Sequence, residues 1–152
     1  MRLITFCVVA YNTAKTIGHL LDNLLNQTYP LEKVEVVLVD GNSTDDTKNI
    51  FMSFKNKNEK KFSRIIILDN PKRTLPCGWN VALKNYTGEA ILRVDAHATI
   101  PSDFVEKNVR LIEKGENICG GKVISIPANN TSWAETVNAA ENSMFGGSFA
   151  KF

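Results

Sequence analysis

An acidic residue and a histidine stand two positions apart at the end of a largely apolar run. The run 91–94 leads into Asp95, Ala96 and His97. Alternate residues of an extended strand share a face, so the spacing predicts that Asp95 and His97 project from the same side. A carboxylate and a neutral imidazole so placed can ligate one divalent cation, which can in turn hold a diphosphate. The alternative is an ion-paired strand end followed by a surface histidine.

Other side chains with binding chemistry also follow apolar runs. Asp40 can accept hydrogen bonds from a pyrimidine ring N–H or a ribose hydroxyl, or it can cap the next helix. Arg73 offers a planar fork to a phosphate or a base edge, or it can form a surface ion pair. Tyr11 can stack on a base or be an ordinary exposed aromatic residue. Beyond Arg73, Asn80 can contact a ligand, cap or pack, and Trp79 is expected in the core.

Alternating strands and helices are predicted to position these side chains. The continuous apolar run at 3–10 is typical of a strand buried on both faces of a parallel sheet. The segment 34–39, rich in β-branched residues, and the segment 65–68 are the next two predicted strands. From Ala14 the apolar residues fall at helical spacing, on one face that ends before Pro30. The remaining predicted helices cover about 44–55, 76–83, 103–115 and 132–142, and the remaining extended segments are 91–97, introduced by Gly88, and 119–126.

Capping side chains set the expected starts of three helices. Ser43 is the expected N-cap of the second helix, with two aspartates in the first turn. Ser102 is the expected N-cap of the fourth helix. Ser132 and Glu135 have the spacing of a capping box, which predicts the start of the last helix.

The alternation predicts the α/β class, with a mostly parallel sheet, helices on both faces and right-handed connections. Open sheets of this kind bind ligands beyond the carboxyl ends of their strands. The turn after the first strand contains no glycine, which argues against a dinucleotide-binding fingerprint, and a P-loop is likewise missing from the sequence. The side chains expected to converge on the carboxyl edge are Tyr11, Asp40, Arg73, Asp95 and His97.

Composition narrows the classes further. The 152 residues, 43% of them hydrophobic and 22% charged, are typical of one globular domain. A net charge of +2 argues against nucleic-acid binding, and the basic cluster at 55–61 lacks aromatic residues, so it is expected to be a solvated loop. Three widely spaced cysteines predict reduced thiols. The run 3–10 is too short to cross a membrane, so the expected location is cytoplasmic.

Several motifs together carry a resemblance to a known family. They are VAYN at 9–12, LLNQTYP at 24–30, VDGNSTD at 39–45, NPKR at 70–73 and RVDAHA at 93–98. In this order they resemble family 2 glycosyltransferases with the GT-A fold, a Rossmann-like sheet, and in particular the branch that makes succinoglycan-type polysaccharides. The resemblance spans essentially the whole chain.

The resemblance implies inverting transfer of a sugar from a nucleotide-diphosphate donor, usually UDP, with Mg²⁺ or Mn²⁺ as cofactor. The implied metal ligands are Asp95 and His97, and because His97 replaces the second aspartate of the D-x-D signature, Mn²⁺ is favoured over Mg²⁺. The alternative role of His97 is to donate a hydrogen bond to the diphosphate. Gly41 replaces a second acid that many members have after Asp40, which leaves the base contact open. The residues implied to bind the nucleotide sugar are Ala10, Tyr11, Asn12, Asp40, Arg73, Asn80 and Asp95.

Family members of this fold continue well past the first half of the sheet. The expectation is therefore a single nucleotide-sugar-binding domain over 1–152, truncated before the acceptor segment, with the general base unknown. Glu135 and Glu141 fit an ordinary amphipathic helix better than a base. The expected acceptor is a polysaccharide or a lipid-linked glycan, reached by peripheral association with the inner face of a membrane. Apolar surface exposed after about Thr131 would favour a homo-oligomer.

Other functions stay open. A catalytically silent nucleotide-sugar-binding module would share every binding residue and would release no UDP when acceptors are supplied. A response-regulator-like domain would use Asp40 for acyl-phosphate chemistry. A nucleotidyltransferase would need a glycine-rich loop near the N-terminus, which this sequence lacks.

Overall fold

A computed structural model describes residues 1–121 and 131–142, which alternate between strands and helices as predicted. A second compact unit begins at Glu116, so the elements before it are described together and the last helix by itself. The strands are β1 (Ile4–Ala10), β2 (Val34–Asp40), β3 (Arg64–Asp69) and β4 (Ala90–Asp95). The helices are α1 (Ala14–Leu25), α2 (Thr47–Asn58), α3 (Leu75–Leu83), α4 (Phe104–Glu113) and α5 (Ser132–Asn142).

The four strands form one parallel sheet in the order β3-β2-β1-β4. β1 and β2 are buried along their whole lengths, which is why their sequences are mostly apolar, with Thr5, Glu35 and Asp40 as buried polar exceptions. The chain adds β2 and then β3 on one side of β1 and returns with β4 on the other side. The predicted parallel α/β sheet is confirmed, and the winding direction reverses between β1 and β4.

Helices cover both faces of the sheet, as predicted. Because successive strand residues point to opposite faces, β1 divides its side chains between two core clusters. Phe6 and Val8 belong to the cluster that includes buried residues of α1, α2 and α4. Cys7 and Val9 belong to the cluster packed against Trp79 and Ala82 of α3. Three helices therefore cover one face, and α3 covers the other.

Helix α1 shows how the apolar spacing becomes packing. Its buried residues are Ile17, Leu20, Leu21 and Leu24, none more than 2% exposed. Full burial of one such side chain contributes about 1.5–3 kcal/mol. This stripe therefore holds α1 against the sheet, and the predicted start at Ala14 is correct.

The predicted start of the second helix is wrong. Helix α2 begins at Thr47, and its N-cap position is Asp46, so both aspartates expected in the first turn precede the helix. The Ser43 hydroxyl accepts a hydrogen bond from the N–H of Asn12, at 3.0 Å, on the neighbouring loop. The predicted capping residue is thus used to join two loops.

Two other predicted caps are also wrong. The N-cap position of α4 is Asp103, one residue beyond Ser102. At α5 the hydroxyl of Thr131 accepts a hydrogen bond from the N–H of Ala134, at 3.2 Å, so Thr131 rather than Ser132 is the cap. Each error is small because more than one short polar residue stands at each helix start.

A buried carboxylate lies at the amino ends of the strands. Glu35 is 0% exposed and accepts hydrogen bonds from the Thr5 hydroxyl at 2.6 Å and from the N–H and hydroxyl of Thr87, each at 2.8 Å. The guanidinium of Arg64 forms an ion pair with it. The N–H of Gly88 donates to the Thr5 hydroxyl at 3.1 Å. This network joins β1, β2 and β3 to the segment that enters β4.

The second unit bears on fewer predictions. Residues 119–121 are not in a strand, and the rest of the predicted extended segment 119–126 lies outside the described residues. Trp133 of α5 is 77% exposed. The described helices include none long and apolar enough to cross a bilayer. The predicted single domain and homo-oligomer stay predictions.

Candidate functional site

The reversal of winding between β1 and β4 defines the candidate site. In open α/β sheets the crevice for a ligand lies outside the carboxyl ends of the strands at such a reversal. Ala10 pairs in register with Asp40 of β2, and Val9 pairs with Asp95 of β4. The sheet therefore brings the ends of β1, β2 and β4 to one edge, which we call the donor edge, together with the loops that follow them.

Hydrogen bonds join the loop after β1 to the loop after β2. Asn12 has a φ of 51°, in the left-handed region that asparagine tolerates better than most residues. Its side-chain carbonyl accepts from the N–H of Thr44 at 2.8 Å, and its side-chain amide donates to the Thr44 hydroxyl at 3.2 Å. The Asn12 side chain, predicted to bind the donor, thus positions the two loops against each other.

A second set of bonds extends this junction to the helix starts. Asp45 accepts from the N–H of Ala14 at 3.0 Å and from the hydroxyl of Thr47 at 2.6 Å. The bond from Thr47 is the main cause that lowers the pKa of the Asp45 carboxyl below its usual range. The Thr47 hydroxyl also accepts from the N–H of Thr13 at 2.8 Å. Asp45 and Thr44 are positioning residues, a role that the motif at 39–45 did not assign to them.

The Asp40 carboxylate is buried, with 1% exposure, at the end of β2. It accepts a hydrogen bond from the N–H of Ser43 at 3.1 Å, so it closes the turn after β2. Asp40 therefore acts as a capping residue, the alternative given above, although the segment that it caps is a loop rather than a helix. A carboxylate has room for further donors on its other lone pairs. Contact of Asp40 with a base or ribose stays a prediction.

Tyr11 and Ala10 flank this turn. The Ala10 side chain is 2% exposed, and its carbonyl accepts from the N–H of Gly41 at 2.7 Å. A Cβ atom at Gly41 would lie 3.1 Å from both the Ala10 carbonyl oxygen and the Tyr11 Cβ, so glycine lets Tyr11 pack close to the turn. The Tyr11 ring remains 45% exposed. It lies at the donor edge, and its stacking on a base stays a prediction.

Arg73 lies in the loop between β3 and α3. It has a φ of 58°, its N–H donates to the carbonyl of Asn70 at 3.0 Å, and it is exposed. Asn70, 1% exposed, fixes the loop because its side-chain amide donates to the Thr74 carbonyl at 2.9 Å and its N–H donates to the Asp40 carbonyl at 2.7 Å. The Asn-Pro dipeptide at 70–71 is the turn signal that could have identified this anchor.

Asn80 lines a cavity beside α3 whose lining differs from the residues of the donor edge. It is exposed on α3 and lines a shallow cavity of about 260 Å³ together with Asn70, Lys72, Cys77 and Lys84. The described residues that line this cavity do not include Asp40, Asp95 or His97. Donor binding by Asn80 stays a prediction.

Asp95 is the last residue of β4, and His97 lies in the turn that follows. The N–H of Ala98 donates to the Asp95 carbonyl at 2.9 Å, which closes the turn. The strand argument for a shared face therefore fails at His97, although both side chains are exposed. Thr16 of α1 donates its hydroxyl to the Ala96 carbonyl at 3.2 Å, which ties the turn to the helix after β1.

The donor chemistry of Asp95 and His97 fits a cation that shares its ligands with a substrate. Among residues 1–121 and 131–142 no three side chains of His, Cys, Asp and Glu are grouped as a metal site. Mg²⁺ sites of phosphate-transferring proteins often use one or two carboxylates and take their remaining ligands from phosphates and water. An exposed Asp95 with a nearby imidazole is compatible with such a site and not with a closed protein cage.

Replacing Asn12 tests the loop junction. We expect Asn12→Ala to lower the free energy of unfolding by about 2 kcal/mol, because it removes the bonds to Thr44 and places an alanine in the left-handed region. Asn12→Gly removes the same bonds but tolerates the backbone, so its loss should be about 1 kcal/mol smaller. Urea denaturation measures both. Equal stabilities of the two variants would contradict the assigned backbone conformation.

The family comparison bears on the whole chain. The model for "Glycosyl transferase family 2" matches residues 5–151. A Methanococcus voltae protein named "Dolichyl N-acetyl-alpha-D-glucosaminyl phosphate 3-beta-D-2,3-diacetamido-2,3-dideoxy-beta-D-glucuronosyltransferase" is 32% identical over 114 residues, which are 75% of this chain and 35% of the relative. "Succinoglycan biosynthesis protein ExoA" of Rhizobium meliloti is 35% identical over 100 residues, 64% of this chain and 29% of the relative.

Solved structures agree with the fold. The mannosyltransferase PcManGT of Pyrobaculum calidifontis, in complex with GDP-Man and Mn²⁺, has a TM-score of 0.67 and 32% identity over 72% of this chain and 32% of its own. S. aureus TarS 1-349 has a TM-score of 0.64 and 24% identity over 82% of this chain and 40% of its own, a likeness of fold alone. The matched part of this chain spans between 16% and 35% of the length of the first curated relatives. The predicted GT-A fold is confirmed, and the chain belongs to glycosyl transferase family 2.

Proposed function

We propose that this chain is the donor-binding domain of an inverting glycosyltransferase, and that it binds a nucleotide-diphosphate sugar, with UDP as the nucleotide, at the donor edge. The observation that carries the proposal is the position of Asp95. Its exposed carboxylate ends β4 beside β1, where the winding of a family 2 sheet reverses. A ligand that bridges β1 and β4 would meet this carboxylate first.

Three other residues would divide the nucleotide between them. Tyr11 would stack on the base with its exposed ring. Asp40, which already accepts a hydrogen bond from the Ser43 N–H, would accept a further one from the base or ribose. Arg73, which has no ion-pair partner among residues 1–121 and 131–142, would pair with a phosphate. The junction made by Asn12 keeps the Tyr11 and Asp40 loops at a fixed separation.

The proposal includes a divalent cation, Mn²⁺ in preference to Mg²⁺, held by Asp95 and His97 with the donor diphosphate. The relative of known structure contains Mn²⁺ with GDP-Man, which supports this choice of metal. A bound cation stabilises the charge that develops on a departing diphosphate.

In the proposed reaction an acceptor hydroxyl attacks the anomeric carbon from the side opposite the diphosphate. The bond to the diphosphate oxygen breaks, the configuration inverts, and a base takes the hydroxyl proton. We assign no residue of this chain to that base. The names of the relatives support a polymer or lipid-linked acceptor, since one is a dolichyl-linked sugar transferase and another acts on poly(ribitol-phosphate). We place the reaction in the cytoplasm, at the inner face of a membrane where the acceptor is lipid-linked.

Calorimetric titration of UDP into the chain tests donor binding. We expect UDP to bind in the presence of Mn²⁺ and to lose affinity when the metal is removed with EDTA. His97→Ala should weaken the Mn²⁺-dependent binding, on the order of 10-fold, because it removes one metal ligand. The matched control is His19→Ala, an exposed histidine of α1, which should bind UDP as the unchanged chain does. Lack of UDP binding under every condition would contradict the proposal.

Competition with GDP identifies the nucleotide. If GDP displaces UDP with the higher affinity, the choice of UDP is wrong while the donor edge is retained. Release of UDP from a UDP-sugar in the presence of acceptor glycans distinguishes transfer from binding alone. Binding without release under these conditions would favour the silent nucleotide-sugar-binding module.

A further inference from the structure

Arg93 and Asp95 project from the same face of β4. Their partners in β1 are Cys7 and Val9, which belong to the cluster packed against α3. The Arg93 guanidinium lies 3.9 Å from the Asp95 carboxylate, and the two side chains are 61% and 53% exposed. An arginine therefore stands directly behind the carboxylate that ends the strand.

Trp79 holds this arginine from the other side. The Arg93 guanidinium carbon lies 4.9 Å from the centroid of the Trp79 ring. The ring packs against the core cluster that contains Cys7 and Val9. Its indole N–H has no hydrogen-bond partner in the part of the chain that the structure describes, so the ring face is what Trp79 contributes. A guanidinium over a tryptophan face is attracted to it, which limits the positions that Arg93 can take.

The pair changes the charge that a cation would meet. Asp95 is the carboxylate of the proposed metal pair, and the Arg93 guanidinium places a positive charge 3.9 Å from it. A divalent cation that binds Asp95 without a nucleotide must compete with this guanidinium. A diphosphate reverses the balance, because its negative charges attract both the cation and the arginine.

We propose that Arg93, held by Trp79, is a resident counter-ion of Asp95 that keeps the cation affinity of the free chain low and makes cation binding depend on a bound diphosphate. Arg93 is then a positioning residue, which acts on the metal through Asp95. The inference rests on the proposed function for the identity of the diphosphate ligand. The competition between Arg93 and the cation does not need the nucleotide and can be measured without it.

The test is Mn²⁺ binding to the chain without nucleotide, followed by the electron paramagnetic resonance signal of free Mn²⁺ at low ionic strength. We expect Arg93→Gln to bind Mn²⁺ about two- to fivefold more tightly than the unchanged chain, the range that corresponds to an exposed ion pair. The gain should disappear when Asp95→Asn is added. Arg93→Lys keeps the charge and should bind as weakly as the unchanged chain. The matched control is Arg110→Gln, which replaces an exposed arginine paired with Glu106 and should leave the Mn²⁺ affinity unchanged.

Adding UDP completes the comparison. The increase in Mn²⁺ affinity caused by UDP should be larger in the unchanged chain than in Arg93→Gln. Equal or weaker Mn²⁺ binding by Arg93→Gln, or tighter binding by Arg93→Lys, overturns the inference, as does a gain that survives Asp95→Asn. Failure of the unchanged chain to bind UDP overturns the proposed function instead, and the nucleotide-free comparison still decides the role of Arg93.

Discussion

Asp95→Asn is expected to lower the affinity of the chain for UDP in Mn²⁺ by about 100-fold. The substitution keeps the size of the side chain and removes the only negative charge of the proposed pair of metal ligands. Loss of one ligand or its orientation reduces metal affinity by about 10- to 100-fold, and UDP affinity falls with it because the cation joins the two. Calorimetric titration at fixed Mn²⁺ concentration measures the change.

Asp22→Asn is the matched control for this prediction. Asp22 is an exposed acid of α1, and its side chain lies outside the donor edge. This variant should bind UDP with unchanged affinity. Because Asp95 is about half exposed, its replacement should also leave the thermal midpoint of unfolding nearly unchanged. An Asp95→Asn variant that binds UDP normally in Mn²⁺ would remove the metal role from this residue.

Glu35→Gln is expected to lower the free energy of unfolding by about 3 kcal/mol at neutral pH. Three hydrogen bonds and the ion pair with Arg64 converge on the buried carboxylate. Removing one partner of a buried pair typically costs about 3–5 kcal/mol, and the partial exposure of Arg64 places this case at the lower end. The NH2 group of glutamine would also face hydrogen-bond donors of Thr5, Thr87 or Arg64, with which it cannot pair. Urea denaturation measures the loss.

The difference in the free energy of unfolding between the unchanged chain and Glu35→Gln should depend on pH. Burial acts to raise the pKa of Glu35, but the hydrogen bonds from Thr5 and Thr87 and the charge of Arg64 outweigh it, so the pKa lies below its usual range. A carboxyl whose pKa is lowered by folding stabilises the protein above its unfolded pKa, about 4.3, and loses that contribution as the pH falls through the folded pKa. The advantage over Glu35→Gln should therefore be complete above about pH 5.3 and shrink in acid. An advantage that grows in acid would contradict the assignment.

The strands and helices could be predicted because their cause is local and repeated. β1 and β2 are mostly apolar and rich in β-branched residues, and α1 carries one apolar stripe, so the hydrophobic pattern identifies them. The parallel direction of the strands could be predicted from the alternation of strands and helices along the chain. The predicted strands and helices depend on many residues at once, so one exceptional side chain does not change them.

The loops could not be predicted because their cause lies elsewhere in the chain. Ser43 has the chemistry of a helix cap, but the N–H of Asn12, 31 residues earlier, uses its hydroxyl. His97 has the spacing of a strand residue, but the carbonyl of Asp95 accepts the N–H of Ala98 and ends the strand. Arg93 stands within a largely apolar run, and only the folded position of Trp79 shows that the two side chains are neighbours. Candidate site residues follow from motifs, while their partners follow from the fold.

Three helices cover one face of the sheet and one helix covers the other, so the two faces should differ in how readily their helices detach. Of the helices within residues 1–115, only α3 lies on the face of Cys7 and Val9, and the Arg73 loop runs directly into it. Local openings require least free energy where packing is thinnest, so α3 should detach on its own while α1 and α2 remain in place. Amide hydrogens of α3 would then exchange faster than those of α1. The loop that carries Arg73, the proposed phosphate ligand, would be intermittently displaced, and the loops that carry Tyr11 and Asp40 would stay in place.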